Sequence, residues 1–577
     1  MIREQAIKIR GLAMKRVWIA LLSVMMFAGF LVACTSTSTN TPAPGSAKKE
    51  TPGATPADSA PKNSTQPMPE ATGEKLLLTN WGPDDKFGAS WADYGGFMKT
   101  NLFRRLLMLN EKGEPVEKDL AKDYTVSPDA LTYTFTLRDD VKWHDGVSFT
   151  AEDVRWSLAT AIKSTSINAI FSGAFSKIVG ADDWKTGKAN NLSGVTVDGN
   201  KVTIKLTEPV GVFLLTMAQW PPYPKHLLEK EDPAKIHLSS FWEKPIGNGP
   251  YRLTEVVPNN YAIMEIFKDF YGSKPKIEKI KLQTMTEDKI VTKTQANQLD
   301  YISVMSLDQV NEALKNPAYK AYPVDIFFDR YLQANMMGAD GKPNKKIADL
   351  RIRQALLYAI DRKALATKLF KGQAELLETK IPTKLPEYNK NAVTYPYDLE
   401  KAKKLLKDAG FDFNQPVKLQ YYYTDQQTVD LIDTIKYYWE QAGVKVETSL
   451  MKGNLLELIY TKRDYDFLYA GLSAMALEEA YGLFHTDSPL GMQVFGGAKD
   501  KWDPLIDDLR RATDPQKRKE AVGKLQDMES QFLWHMPLFS LKQYVLVNES
   551  RLKTAGIFGN EWTNYDRQQQ NWELKVK

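Results

Sequence analysis

Residues 131–158 read LTYTFTLRDDVKWHDGVSFTAEDVRWSL. Leu131, Tyr133, Phe135 and Leu137 alternate with polar residues, the period-two pattern of a half-buried strand. Asp145-Gly146 supplies a turn, and Thr150 stands three residues before Asp153, the spacing of a helix N-terminus. Val154, Leu158 and Ile162 then line one helical face. A strand passing through a turn into an amphipathic helix is a building unit of α/β domains, and the rest of the chain repeats the mixture. Val195 and Val197, the turn Asp198-Gly199-Asn200, and Val202, Ile204 and Leu206 read as a hairpin. Residues 417–423 alternate as a strand. Val429, Ile432, Ile435 and Trp439 follow as a helical stripe that Gly443 ends, and Val444 and Val446 resume a strand, which makes a βαβ-like unit. Asp349 opens a helix carrying Ile352, Leu356, Ala359 and Ile360. Asp398 opens another with Ala402, Leu405 and Leu406 inward and Gly410 at its end.

The chain has 577 residues, enough for several domains, and 43% hydrophobic and 25% charged residues, the composition of a globular protein. Lys and Arg number 76 against 71 Asp and Glu. Residues 1–33 hold five of the bases (Arg3, Lys8, Arg10, Lys15, Arg16) and one acid (Glu4), leaving 71 against 70 elsewhere. A nucleic-acid-binding face therefore has no support in composition. Cys34 is the single cysteine, which excludes disulfides within the chain and Cys-based zinc sites.

Lys15 and Arg16 precede an apolar run at 17–33, the plan of a secretory signal. Leu31-Val32-Ala33-Cys34 at its end resembles the lipobox of bacterial lipoproteins. That resemblance implies a signal peptide over 1–33, with Met1 or Met14 as its start, and an acylated Cys34 holding the protein on the membrane. Residues 34–73 are rich in Ser, Thr, Pro, Ala and Gly and cannot form a core, so they are expected to be a disordered tether. The expected location is the extracytoplasmic face of the cell membrane, as on a Gram-positive surface.

Motifs for reaction chemistry are missing. There is no GxxxxGK[ST], no GxSxG and no HExxH. In Trp143-His144-Asp145-Gly146 the Asp-Gly pair reads as a turn, not as the partner of a catalytic base. Gly247-Asn248-Gly249 is followed by Pro250-Tyr251, not by a helix, so it is not a dinucleotide loop. A large body with 11% aromatic residues, suited to lining a cleft, and no reaction centre favours a receptor over an enzyme.

Several stretches resemble the extracytoplasmic solute-binding proteins of peptide-type ABC importers, the oligopeptide- and dipeptide-binding lipoproteins. These are residues 101–107 (NLFRRLL), Gly113-Glu114-Pro115-Val116, the block 131–158, Pro224-Lys225-His226, 245–251 (PIGNGPY), 350–365 (LRIRQALLYAIDRKAL) and 398–411 (DLEKAKKLLKDAGF). They fall in order across 76–547. The resemblance implies an α/β fold of the two-lobed periplasmic-binding-protein type (type II, cluster C) with an extra domain in lobe I. Lobe I would comprise 74–107, 241–330 and 541–577, the extra domain 108–240, and lobe II 331–540, with two strands crossing between the lobes.

The resemblance further implies a monomer that captures an oligopeptide by hinge closure and delivers it to ABC permease and ATPase subunits, with no cofactor, metal or catalytic residue. The alternatives are another solute (a sugar oligomer, a conjugate or a metal chelate) or a peptide-sensing receptor that feeds no import. Ligand residues implied are Trp81 at the end of the first strand, Asn248, Asn335 just past the second crossing strand, Tyr422 and Tyr423 closing a lobe II strand, and the backbone of Gly471, Leu472 and Ser473. Many members pair the peptide ammonium with an Asp after the strand corresponding to 465–467. This chain has Ala470-Gly471-Leu472-Ser473 there, leaving Glu478 or Glu479 as the replacement, or a ligand with no free amine at that point.

Overall fold

Two long strands, Tyr319–Ala334 and His535–Asn548, run antiparallel through the middle of an eleven-stranded sheet. The computed structural model describes residues 76–81 and 97–575, apart from 111–112, 259, 475 and 560–566. Cys34, the leader at 1–33 and the tether at 34–73 lie outside the described residues. Nearly every side chain of the His535–Asn548 strand is buried, as a strand covered on both faces requires. One half of this pair serves one lobe, where Tyr301–Val304 pairs with residues 544–547. Beyond Tyr301–Val304 come Leu76–Trp81, Lys279–Thr284, Tyr261–Ile266 and Tyr251–Val257. The other half serves the second lobe, where residues 328–334 pair with Phe467–Ser473 and the sheet continues through Val417–Tyr421 to Val446–Leu450.

The ladder between the two long strands slips twice, between Asp325 and Phe328 and between Arg330 and Tyr331. The second slip skips Leu538, next to Pro537, which has no N–H to give a ladder and is tolerated in a central strand beside such an irregularity. Bulges bend a strand and raise its twist, and the first slip lies between the part that serves one lobe and the part that serves the other.

The block 131–158 folds as its pattern predicts. Thr132–Leu137 is a strand with Tyr133, Phe135 and Leu137 buried, in a four-stranded sheet with Ala121–Val126, Lys201–Lys205 and Val195–Asp198. The helix Ala151–Lys163 buries Val154, Leu158 and Ile162, and the Asp153 carboxylate accepts the Thr150 N–H at 2.8 Å. The 195–206 hairpin forms, with Gly199 at φ +56° in its turn. Asp349 and Asp398 cap Leu350–Tyr358 and Leu399–Asp408 through their side chains. The βαβ unit is present, Val417–Tyr421 lying parallel to Val446–Leu450 with Gln426–Gln441 between them in the chain.

Two expectations are corrected. The strand expected over 417–423 ends at Tyr421, where its pairing with both neighbours, Val446–Leu450 and Phe467–Ser473, stops. Asn335 follows the first of the two crossing strands in chain order, not the second.

Candidate functional site

Three of the sequence blocks meet at one point. The Gly247 N–H donates to His144 Nδ1 at 3.1 Å, the His144 N–H donates to the Gly247 carbonyl at 2.8 Å, and His144 Nε2 lies 3.1 Å from the Gly249 carbonyl. With Nδ1 accepting, the proton sits on Nε2. Burial lowers this imidazole to a pKa of about 4, so it is neutral at ordinary pH and acts as a clamp. The N–H groups of Asn248 and Gly249 both bond the Leu102 carbonyl, and Asn248 Oδ1 accepts the Arg104 N–H at 2.8 Å. A Cβ on Gly247 would overlap the Leu102 carbonyl oxygen and one on Gly249 that of Asn101, so glycine is required by close approach of backbone. Gly247→Ala should therefore destabilise the protein by about 3 kcal/mol, the upper end for overpacking, as a shift of the urea midpoint at unchanged slope. A loss under about 0.5 kcal/mol would show that the loop has room to move.

The second-lobe wall is built on the strand Phe467–Ser473. One edge pairs with 328–334; the other pairs with 419–421 only as far as Tyr469. Among the described residues no strand lies along that second edge at 470–473. Tyr422 and Tyr423 stand where the neighbouring strand has ended, ring centroids 4.4 Å apart and hydroxyls at 3.3 Å. The Arg330 guanidinium lies 3.9 Å from the centre of the Tyr423 ring and 5.7 Å from that of Tyr469. Gly471 is the gap into which this group fits: a Cβ there would sit 2.7 Å from Arg330 Nη1 and 2.9 Å from Tyr423 Oη.

Behind this wall lies a buried ionic cluster drawn from distant segments. Lys380 Nζ donates to Asp329 Oδ2 at 2.8 Å and to His535 Nδ1 at 3.0 Å. The Lys380 N–H is bonded to both oxygens of Glu529, at 3.0 and 3.2 Å, and the Tyr481 hydroxyl to Glu529 Oε2 at 3.3 Å. Tyr331 stacks on His535 with centroids 3.9 Å apart. Burial pushes Glu529 up to about 8, against the opposing pull of Lys380, and raises Asp329 in the same way. Burial, reinforced by the neighbouring Lys380, holds His535 well below the usual imidazole range. At neutral pH Glu529 is thus largely protonated and His535 neutral, beside the Lys380–Asp329 ion pair.

The structure places the expected site residues unevenly. Tyr422, Tyr423 and Gly471–Leu472–Ser473 come together on the second-lobe wall. Trp81 ends the strand Leu76–Trp81, paired in register with Thr284. Asn248 is wholly buried in the His144 node. Asn335 is a strut: its Nδ2 donates to the carbonyls of Arg463 at 3.0 Å and Tyr465 at 2.8 Å. Glu478 is buried in the first turn of the helix Leu477–Gly482. Both its oxygens are engaged by the Arg518 guanidinium, which also lies 3.4 Å from Glu387. Arg330, Tyr469 and the Lys380 cluster were not indicated by any local pattern. Among the described residues, no group of three or more His, Cys, Asp or Glu is placed to hold a metal, and no helix is long and apolar enough to cross a membrane.

Comparison with known proteins fits this geometry. The family model for bacterial extracellular solute-binding proteins, family 5, matches residues 115–492. The chain belongs to that family. It is thus a family 5 solute-binding protein of ABC transporters, an extracytoplasmic substrate-binding family and not an enzyme family. A relative among the family 5 proteins is the oligopeptide-binding protein OppA of Lactococcus lactis subsp. lactis, 25% identical over 502 residues, covering 79% of this chain and 82% of the relative. The fold is shared with AppA of Bacillus subtilis in complex with a nonapeptide (TM-score 0.68, 19% identity, 87% of this chain and 99% of that one). It is shared equally with NikZ of Campylobacter jejuni in complex with Ni(L-His) (TM-score 0.71, 20% identity, 87% and 99%). The two-lobed α/β architecture is therefore that of family 5.

Proposed function

We propose that this family 5 protein captures peptides between its lobes and hands them to an ABC permease, as a monomer held by a lipidated Cys34 on a tether over 34–73. The lobes are taken as 74–107, 241–330 and 541–577 for the first, with its insert at 108–240, and 331–540 for the second. The observation that carries the peptide reading is the strand edge at 470–473, whose neighbour stops opposite Tyr469. An extended main chain is the natural complement of such an edge, since it supplies N–H and C=O groups at matching spacing. Tyr422, Tyr423 and Trp81 are the proposed flanking aromatics. Ligand contacts to both lobes favour the closed arrangement, and the two crossing strands with their slips supply the hinge.

Titration calorimetry with di- to hexapeptides, and with Ni(L-His) as a contrasting ligand, tests this reading. Peptide binding in the wild type and at least about tenfold weaker binding in Gly471→Val, whose side chain would displace Arg330 and Tyr423, are expected. Binding of Ni(L-His) with no response to any peptide would overturn the assignment.

A further inference from the structure

The open edge at 470–473 has an end. Three residues past Ser473, Ala476 is buried in the apolar cluster that otherwise belongs to the first lobe, its insert and the near halves of the crossing strands. The short helix Leu477–Gly482 lies against the insert helix Ala169–Phe175 and, on its other side, against the second-lobe helix Lys499–Arg511. Its Glu478 is pinned from behind by Arg518.

The C-terminus of Lys499–Arg511 continues the same barrier. Its last carbonyls have no partner within the helix, and the one on Arg510 accepts the N–H of Gly211 from the insert at 2.8 Å. The neighbouring Arg511 guanidinium lies 3.9 Å from Glu208 of the insert, which is also paired with Lys177. A Cβ on Gly211 would overlap the Ala512 carbonyl oxygen, so the two lobes meet here backbone to backbone. At the opposite end of the edge stand Tyr422 and Tyr423 under Arg330.

From this we infer that the insert and the second lobe form a wall across one end of the groove, and that the ligand is consequently a short peptide of two to about four residues. The inference rests on the peptide reading above and specifies its substrate class. The four strand residues 470–473 span about 13 Å at about 3.3 Å each, and Tyr423 already reaches Gly471, so there is room for about two to four ligand residues before the wall. A longer chain would have to part the Ala476 contact and the Gly211–Arg510 hydrogen bond to lie in the same place.

The test is titration calorimetry of the full chain in detergent with peptides of one repeated composition, about two to ten residues long. Wild type should bind tri- and tetrapeptides at least about tenfold more tightly than octapeptides. Gly211→Val should weaken the short peptides and bring the two affinities within about threefold of each other, because the wall no longer seats. Should Gly211→Val melt below the working temperature, Arg511→Glu is the substitute. It should loosen the wall in the same sense, with the double reversal Arg511→Glu/Glu208→Lys restoring the preference. Octapeptides bound as tightly as tripeptides by the wild type would overturn the length limit while leaving the peptide reading standing. Silence at every length would overturn both.

Discussion

Lys380→Met should lower the unfolding free energy by about 3–5 kcal/mol, the cost of leaving one member of a buried ion pair without its counter-charge. The Lys380 side chain is 2% exposed and that of Asp329 11%, so water cannot take the ammonium's place. The substitution also removes the donor to His535 Nδ1, leaving that acceptor unsatisfied in a buried setting. Differential scanning calorimetry should show the second-lobe transition falling by about 10 °C, at about 2–4 °C per kcal/mol for a unit of this size. The double variant Lys380→Met/Asp329→Asn should recover much of the loss, since replacing both members of a buried pair is commonly near neutral. If the single variant melts within about 1 °C of wild type, the pair carries no such weight.

The second large effect is in pH. Glu529 is raised from its ordinary value to about 8, burial being the first cause. An acid with a higher pKa folded than unfolded keeps its proton in the native state after the unfolded chain has lost it. Between about pH 4.5 and 8 the native state therefore binds more protons, and stability falls as pH rises through that window. The whole effect amounts to at most about 5 kcal/mol. Glu529→Gln, whose amide oxygen can still accept from Lys380 N–H and Tyr481, should flatten this slope and be more stable than wild type at pH 8 by about 1–3 kcal/mol. Urea unfolding at pH 5, 6.5 and 8 measures both. A slope unchanged in Glu529→Gln would mean that another group sets it.

These effects come from contacts that the sequence does not display. Local signals were legible because their physics is local. The caps at Asp349 and Asp398, the alternation at 133–137 and the glycine turn at 199 each depend on residues a few positions apart. The family blocks were legible too, and the structure explains three of them: 101–107, 131–158 and 245–251 carry the partners of a single buried histidine node. Glu478 shows the limit of such reasoning. It reads as an acid opening a helix, whereas the Arg518 that engages it is forty residues further along the chain. Tyr422 and Tyr423 continue an alternating pattern past the point where the adjacent strand stops, and only the sheet register reveals that edge. The cluster of Asp329, Lys380, Glu529 and His535 needs four segments at once, so no window of sequence contains it.

The central place of His535–Asn548 bears on how the protein is made. This strand comes about two hundred residues after its partners in the chain, yet it lies between Tyr319–Ala334 and Tyr301–Val304 and joins the two wings of the sheet. Until it arrives, Tyr301–Val304 and Tyr319–Ala334 each present an unfilled edge, and Lys380 has no His535 to meet. Joining of the two wings must wait for this strand, so the central pairing of the sheet is one of high sequence separation, the kind that forms late and slowly.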